Sequence, residues 1–306
     1  MSTPPVKAID ARGAAVALLL SAFWGANLVA IKFGLEDAPP IRLAWMRFLV
    51  GGVVILAWGW ITGRLRGFRI ERHEWRPLLV LAVLFSVQIA SMNIGTAMTT
   101  AAHASVLLNL YAVHTVVLAH FMIPGDRLTA RRLAGVLIAY TGVMMLFRNQ
   151  VGAGAPTLVG DLIMFASGLV LGERTVYLAR VVHRVDAIKL LLSQAVIGTA
   201  IFFTVSTVLE HEPTRWTWRL AASIGYQGVL IAGFNFVANL WLLARYRPST
   251  LATFFLTQPI FGVVAAALVA GEQLTTDLFL ACVAVAIGIG LTTTARAPGL
   301  APHPRR

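Results

Sequence analysis

His103, Tyr111 and His114 follow one another at intervals of eight and three residues inside an apolar run. At about 100° per helical residue, all three side chains would share one quadrant of a helix. Two imidazoles and a phenol so placed can donate, accept and exchange protons with a bound molecule. The set does not form a metal site, because no cysteine or carboxylate shares the face, and His211-Glu212-Pro213 lacks the second histidine of a zinc motif. Side-chain amides recur at similar depth: Asn27, three residues after Trp24; Gln88; Asn235 and Asn239, one turn apart; and Gln258, just before Pro259. Such groups bind a neutral or zwitterionic solute, or else hydrogen-bond an adjacent helix.

Charges in the same runs are costlier. Lys32 is close enough to the end of the first run to extend to an interface. Arg47, about two turns into the second, needs water, an anion or a partner, which makes it a gating candidate. Glu173 and Arg174 stand together toward the end of the sixth, as a gate pair, as part of a proton relay, or simply as that helix's interfacial end. The last is the expectation adopted here. Pro259 removes one helical hydrogen bond at the expected centre of the ninth run, so a kink or hinge is expected there.

Such groups must be carried by a frame suited to lipid. The 306 residues are 58% hydrophobic and only 12% charged, with a mean hydropathy of +0.78. A soluble domain carries about 25% charge. Ten runs approach the ~20 residues needed to cross a bilayer: 13–34, 42–62, 78–98, 102–123, 130–148, 157–180, 188–209, 221–244, 250–270 and 275–295. Backbone groups left unpaired in hydrocarbon are intolerable, so each run is expected to be helical. The first run continues past any cleavage site into Trp24 and Lys32, and so is a retained helix and not a signal peptide. Cys282, the single cysteine, lies within the last run and is expected to be a packing residue.

The formal net charge of +12 is scattered between spans instead of gathered on one face, which excludes nucleic acid as the partner. Basic residues crowd alternate connections, as at Arg64, Arg66, Arg69, Arg72 and Arg76, whereas Arg42, Arg148, Arg215 and Arg219 lie in the others. The crowded side is cytoplasmic by the positive-inside rule, and both termini fall on it.

The chain also repeats. Asp126-Arg127-Leu128-Thr129 returns as Glu272-Gln273-Leu274-Thr275, 146 residues later, and the same step carries Gly142 onto Gly288. A step of 147 carries Arg47 onto Gln194, and one of 148 carries Lys32 onto Arg180. Five spans per half is an odd number, so the second half enters the membrane inverted. The expected fold is an all-α membrane protein, ten transmembrane helices in a five-plus-five inverted repeat around a central cavity. Its domains would be 1–149 and 150–295, followed by a disordered cytoplasmic tail, 296–306.

The stretches WGANLVAIKFGL and PPIRLAWMRFLVGG, the paired DRLT…GVLIAYTGV and GEQLT…VAVAIGIGL, and the late QP together resemble the ten-helix, EamA-type branch of the drug/metabolite transporter superfamily. That resemblance implies a basket-shaped inverted repeat in a bacterial inner membrane, exporting amino acids, other metabolites or drugs. The most similar branch exports aromatic and other neutral amino acids. The cavity would lie among the first, third, fourth, sixth, eighth and ninth helices, and the family's arginine and lysine fall on Arg47 and Lys32. The proline of QP has Val113 as its counterpart in the first half, so the two halves are expected to bend differently.

The expected function is a secondary transporter exporting small neutral and aromatic amino acids by alternating access. No Walker motif is present, so ATP does not drive it. A broad-specificity drug exporter is the alternative, since the same lining would accept a hydrophobic cation. A membrane-embedded enzyme would need convergent carboxylates, a metal cluster or an activated nucleophile, and none stands out. No cofactor or obligate protein partner is expected. The expected substrate site comprises Trp24, Asn27, Gln88, His103, Tyr111, His114, Asn235, Asn239 and Gln258, with Arg47, Glu173 and Pro259 at gates or hinges.

Overall fold

The computed structural model describes residues 9–65, 68–122, 128–151, 157–182, 184–243, 245–246, 251 and 254–293; the tail expected at 296–306 lies outside them. The chain runs α1 (Ala11–Leu35), α2 (Pro40–Ile61), α3 (Trp75–Met98), α4 (Ala101–Asn109), α5 (Tyr111–Met122), α6 (Ala130–Val151), α7 (Leu158–Val181) and α8 (Ala187–Leu209). There follow α9 (Trp218–Gly225), a π-helical segment (Tyr226–Asn235), α10 (Phe236–Leu243), α11 (Gln258–Ala270) and α12 (Thr276–Thr293). Among the described residues, eight spans are long and apolar enough to cross a membrane, α4–α5 together and α9 through Asn239 each counting as one. Gln258–Ala270 and Thr276–Thr292 are shorter apolar helices.

Helix ends are set by local chemistry. Asp10 accepts from the Gly13 amide at 2.7 Å, and Thr100, Asp186 and Thr217 cap α4, α8 and α9 in the same way. Gly271, at φ 66°, closes α11 in the left-handed conformation, and the Glu272 amide then returns to the Ala266 carbonyl at 3.1 Å.

Two expectations about bending are corrected. Pro259 does not kink the middle of a helix: it sits in the first turn of α11, where its missing N–H would have no helical acceptor. The halves also break alike. The fourth span is interrupted at Leu110, and the ninth at Leu256 and Thr257; Thr257 follows Leu110 by 147 residues. Proline is therefore not required for the break.

The helices pair in a regular way: α6 on α12, α2 on α8, α3 on α7, α1 on α11 and on the π segment, with α4 against α11 and α5 against α7. Small residues let them approach closely, the usual source of association between helices in lipid. A Cβ added to Gly25 would lie 2.6 Å from the Gln258 carbonyl oxygen, 2.8 Å from Phe261 Cβ and 2.9 Å from Gly262 N. One added to Gly172 would lie 3.3 Å from the Tyr111 carbonyl, 2.9 Å from His114 Cβ and 3.2 Å from Thr115 N. Each residue of one set is 147 positions from its match in the other. Gly51 against Ala232 and Gly198 against Phe85 repeat that step. At the α6–α12 seam the step is 146, with Gly135 on Gly288 and Gly142 on Ala281. One buried apolar core, including Leu28, Leu43, Ile89, Leu110, Val143 and Val285, continues through both sets of helices.

Candidate functional site

One charged group reaches toward mid-depth, Arg174. It stands seven residues before the end of α7, about 10 Å along the axis. Its side chain points away from that end. Nη1 donates to Gln88 Oε1 at 3.0 Å, and the guanidinium carbon lies 5.2 Å from the Phe85 ring centre. Gln88 is thirteen residues into α3 and ten from its end, roughly 20 Å and 15 Å along the helix. Gln88 is itself 2% exposed and anchored, since Ser167 Oγ donates to its carbonyl at 2.9 Å and its Nε2 lies 3.4 Å from Ser167 Oγ. Among the described residues no carboxylate pairs with Arg174. Tyr111, the first residue of α5, lies near enough to interact with it electrostatically. The expectation that Arg174 marks an interfacial helix end is thus overturned. Glu173, its sequence neighbour, is exposed and forms no gate pair with it.

The matching place 147 residues away has different chemistry. Asn235, equivalent to Gln88, donates Nδ2 to the carbonyl of Leu20 at 3.1 Å; Leu20 is equivalent to Ser167. Asn235 is 0% exposed and its Oδ1 has no partner. Asn27, equivalent to Arg174, likewise has a buried Oδ1 without a partner, and so does Asn239. Trp24 packs edge-on against Phe255 with ring centres 5.3 Å apart, and the Tyr226 hydroxyl donates to the Phe23 carbonyl at 2.7 Å. Asn235 closes the π segment, where the backbone widens against α2: Cβ atoms at Gly228 and Gly233 would stand 2.6 Å and 2.4 Å from the Val50 and Val54 side chains. No sequence signal announced this widening, a feature that clusters at functional sites.

The histidines are separated. The interruption at Leu110 puts His103 in α4 and Tyr111 and His114 in α5, and the three meet α7 at different heights, His103 at Asp161, Tyr111 near Arg174 and His114 at Phe165. His103 Nδ1 lies 2.9 Å from Asp161 Oδ2, and Asp161 also accepts from the Thr99 hydroxyl. His114, 1% exposed, stacks on Tyr140 at 5.7 Å and meets Phe165 edge-on at 5.3 Å. Its nitrogens lack a hydrogen bond of ordinary geometry, and the Gly168 backbone is the polar group facing them. Gln258 is buried at the start of α11, where its carbonyl crowds Gly25.

Arg47 is sealed at 3% exposure. Its Nη1 donates to Gln227 Oε1 at 2.7 Å, Gln227 Nε2 to Ser223 Oγ at 2.7 Å, and Ser223 Oγ to the Ala30 carbonyl at 2.6 Å. This relay ties α2 to α1 through α9 and the π segment. Lys32 ties α1 to α3: its Nζ donates to the carbonyls of Thr96, at 3.1 Å, and Thr99. Beside it, both Glu272 oxygens cap α4 through the Ala101 and Ala102 amides at 2.7 and 2.9 Å.

Two carboxylates outside the spans are strongly engaged. The Gly13 amide, the Tyr246 hydroxyl at 2.8 Å and Arg12 hold Asp10 below the usual carboxylate range. Lys189, 2.8 Å from both Glu74 oxygens, and the Glu71 amide do the same for Glu74.

A probable amino-acid metabolite efflux pump of Escherichia coli is 27% identical over 292 residues, covering 90% of this chain and 92% of that protein. YoaV, an uncharacterized transporter of Bacillus subtilis, is 21% identical over 273 residues, covering 88% and 92%. One solved crystal structure superposes with a TM-score of 0.66 at 19% identity, over 92% of this chain and 95% of the other, a likeness of fold. The model of the EamA-like transporter family matches twice, at residues 11–148 and 158–294. Together these two stretches take up most of the sequence, and the chain belongs to the EamA-like transporter family.

Proposed function

We propose that this membrane transporter exports small neutral and aromatic amino acids and related metabolites, without ATP, by alternating access between two inverted five-helix repeats, 1–149 and 150–295. The observation that carries the reading is the pair of equivalent polar places near mid-depth, Arg174 with Gln88 and Asn27 with Asn235. One offers hydrogen-bond donors and the other unpartnered acceptors, which suits a solute bearing both a carboxylate and an ammonium. The contacts that recur at a step of 147 support the repeat, and the odd number of helices per half supports its inversion. The name of the Escherichia coli relative supports efflux of amino-acid metabolites.

Alternating access draws support from an asymmetry. α1 packs on α11 and the π segment and also touches α2, α3 and α4, whereas the helices packed on α7 are α3, α4, α5 and, at one edge, α6. Lys32 and Glu272 sit where α1 crosses to its own half. With both termini cytoplasmic in a bacterial inner membrane, that crossing closes the outer end and the chain faces the cytoplasm.

Proteoliposomes preloaded with phenylalanine test the proposal. Saturable uptake of labelled phenylalanine, accelerated by unlabelled phenylalanine inside, is the expected result. Absence of uptake for phenylalanine and other neutral amino acids would overturn the amino-acid reading. Uptake without trans-stimulation would replace alternating access with a channel.

A further inference from the structure

We infer that Arg174 binds the carboxylate of the transported molecule, so that a carboxylate is a requirement for transport and hydrophobic cations are excluded. The inference rests on the transport reading above and adds to it the chemical group that is recognised.

A guanidinium in a low-dielectric interior is stable only when a partner supplies negative charge or several acceptors. Arg174 has the Gln88 amide oxygen at 3.0 Å and a Phe85 ring below it, and no carboxylate among the described residues offsets its charge. The planar guanidinium carries five N–H donors in a fork that matches a carboxylate. One of them is seen to be used.

Arg47 shows the contrast. It too has one amide partner and no carboxylate among the described residues, and its Nε is unpartnered, but at 3% exposure it is closed to a ligand and heads a relay ending on the Ala30 carbonyl. Arg174 keeps partial access, and turns toward mid-depth instead of following its own helix to the interface. Snorkelling would have taken it the other way. Gln88 is fixed by Ser167, so the guanidinium is held in place before any ligand arrives.

Position 27 confirms that the fold does not demand a cation here. The equivalent of Arg174 in the first half is the neutral Asn27, in a framework of matching glycine contacts. The charge is present on one side of the repeated frame and missing on the other, so the frame alone does not account for it.

The test uses the full chain and three probes: phenylalanine, phenethylamine, which lacks the carboxylate, and 3-phenylpropionate, which lacks the ammonium. Binding is measured by thermal shift and by competition with labelled phenylalanine. Wild type is expected to bind phenylalanine and 3-phenylpropionate, with phenethylamine at least about tenfold weaker, the scale of one charge-assisted hydrogen-bonding group. Arg174→Gln is expected to weaken both carboxylates about tenfold or more, leave phenethylamine unchanged or tighter, and act on KM more than on kcat. Arg174→Lys should restore part of the loss. A thermal midpoint for Arg174→Gln within a few degrees of wild type separates lost recognition from lost folding; if that variant does not fold, Arg174→Lys and the wild-type ranking of the probes decide. Equal binding of phenethylamine and phenylalanine by wild type, or unchanged carboxylate binding by Arg174→Gln, would overturn the inference. Arg174-dependent binding of 3-phenylpropionate without amino-acid flux would remove the amino-acid reading and keep the carboxylate site.

Discussion

The surroundings of α1 and α7 share one framework and differ in what it carries. Gly25 presses on the start of α11 as Gly172 presses on the start of α5, and Asn235 meets Leu20 as Gln88 meets Ser167. Backbone approach is the same on both sides because small residues set it. The side chains one or two turns away differ in charge: Arg174 faces Gln88, while Asn27 and Asn235 keep unpartnered oxygens. The close glycine contacts recur from one side to the other, and the charge at position 174 does not.

The strongest way to break the comparison is to fill the two glycines. Gly25→Leu and Gly172→Leu should each cost at least the 1–3 kcal/mol typical of overpacking, because the nearest atoms include backbone that cannot step aside. Both variants should show lower yield and thermal midpoint in detergent. A large loss for one and none for the other would end the equivalence.

Amides come next. Gln88→Leu removes the acceptor that holds the guanidinium of Arg174 in place and should raise the KM for phenylalanine about tenfold, the scale of one hydrogen bond to a charged group. Asn235→Leu loses one neutral bond to the Leu20 carbonyl, and its effect on KM should be nearer fivefold, for about 1 kcal/mol. Proteoliposome flux measured over a range of concentrations ranks the two.

A smaller effect should separate the two ends of α1. Lys32→Met frees the carbonyls at the end of α3, and Glu272→Gln weakens the cap of α4. Either change should increase severalfold the reaction of a cysteine placed at the buried Ala102 with an impermeant thiol reagent applied from outside. Cys282 is buried and contributes little background. Unchanged labelling would remove Lys32 from the closure.

The smallest effect lies at the Glu74–Lys189 pair. The carboxyl of Glu74 is held below its ordinary 4.5, so the pair stabilises the fold above that pH and the contribution fades as pH falls through the lowered value. Glu74→Gln should therefore cost under about 1 kcal/mol at pH 7 and less still near pH 4. Midpoints at the two pH values measure the difference.

Much of this was legible in the sequence. Spans, their order and the repeat follow from apolar run lengths and from DRLT returning as EQLT. Gln88, Asn27 and Asn235 stood out because an amide is conspicuous in a hydrocarbon run. Helix position alone places the Cα of Arg174, and its long side chain can reach about one turn either way from it. Only Gln88, on another helix, fixes the direction. The break at Leu110, between His103 and Tyr111, has no proline or glycine to announce it. The π segment was missed for a similar reason, since its widening answers Val50 and Val54 on α2.

The sequence by itself determined that its apolar runs become helices, because lipid offers the backbone no other hydrogen-bond partner, and that motifs of its first part return in its second. Tertiary structure alone decided which buried polar groups have partners and which do not. Pairing depends on distances between helices, and those are set by the small residues through which the two halves touch.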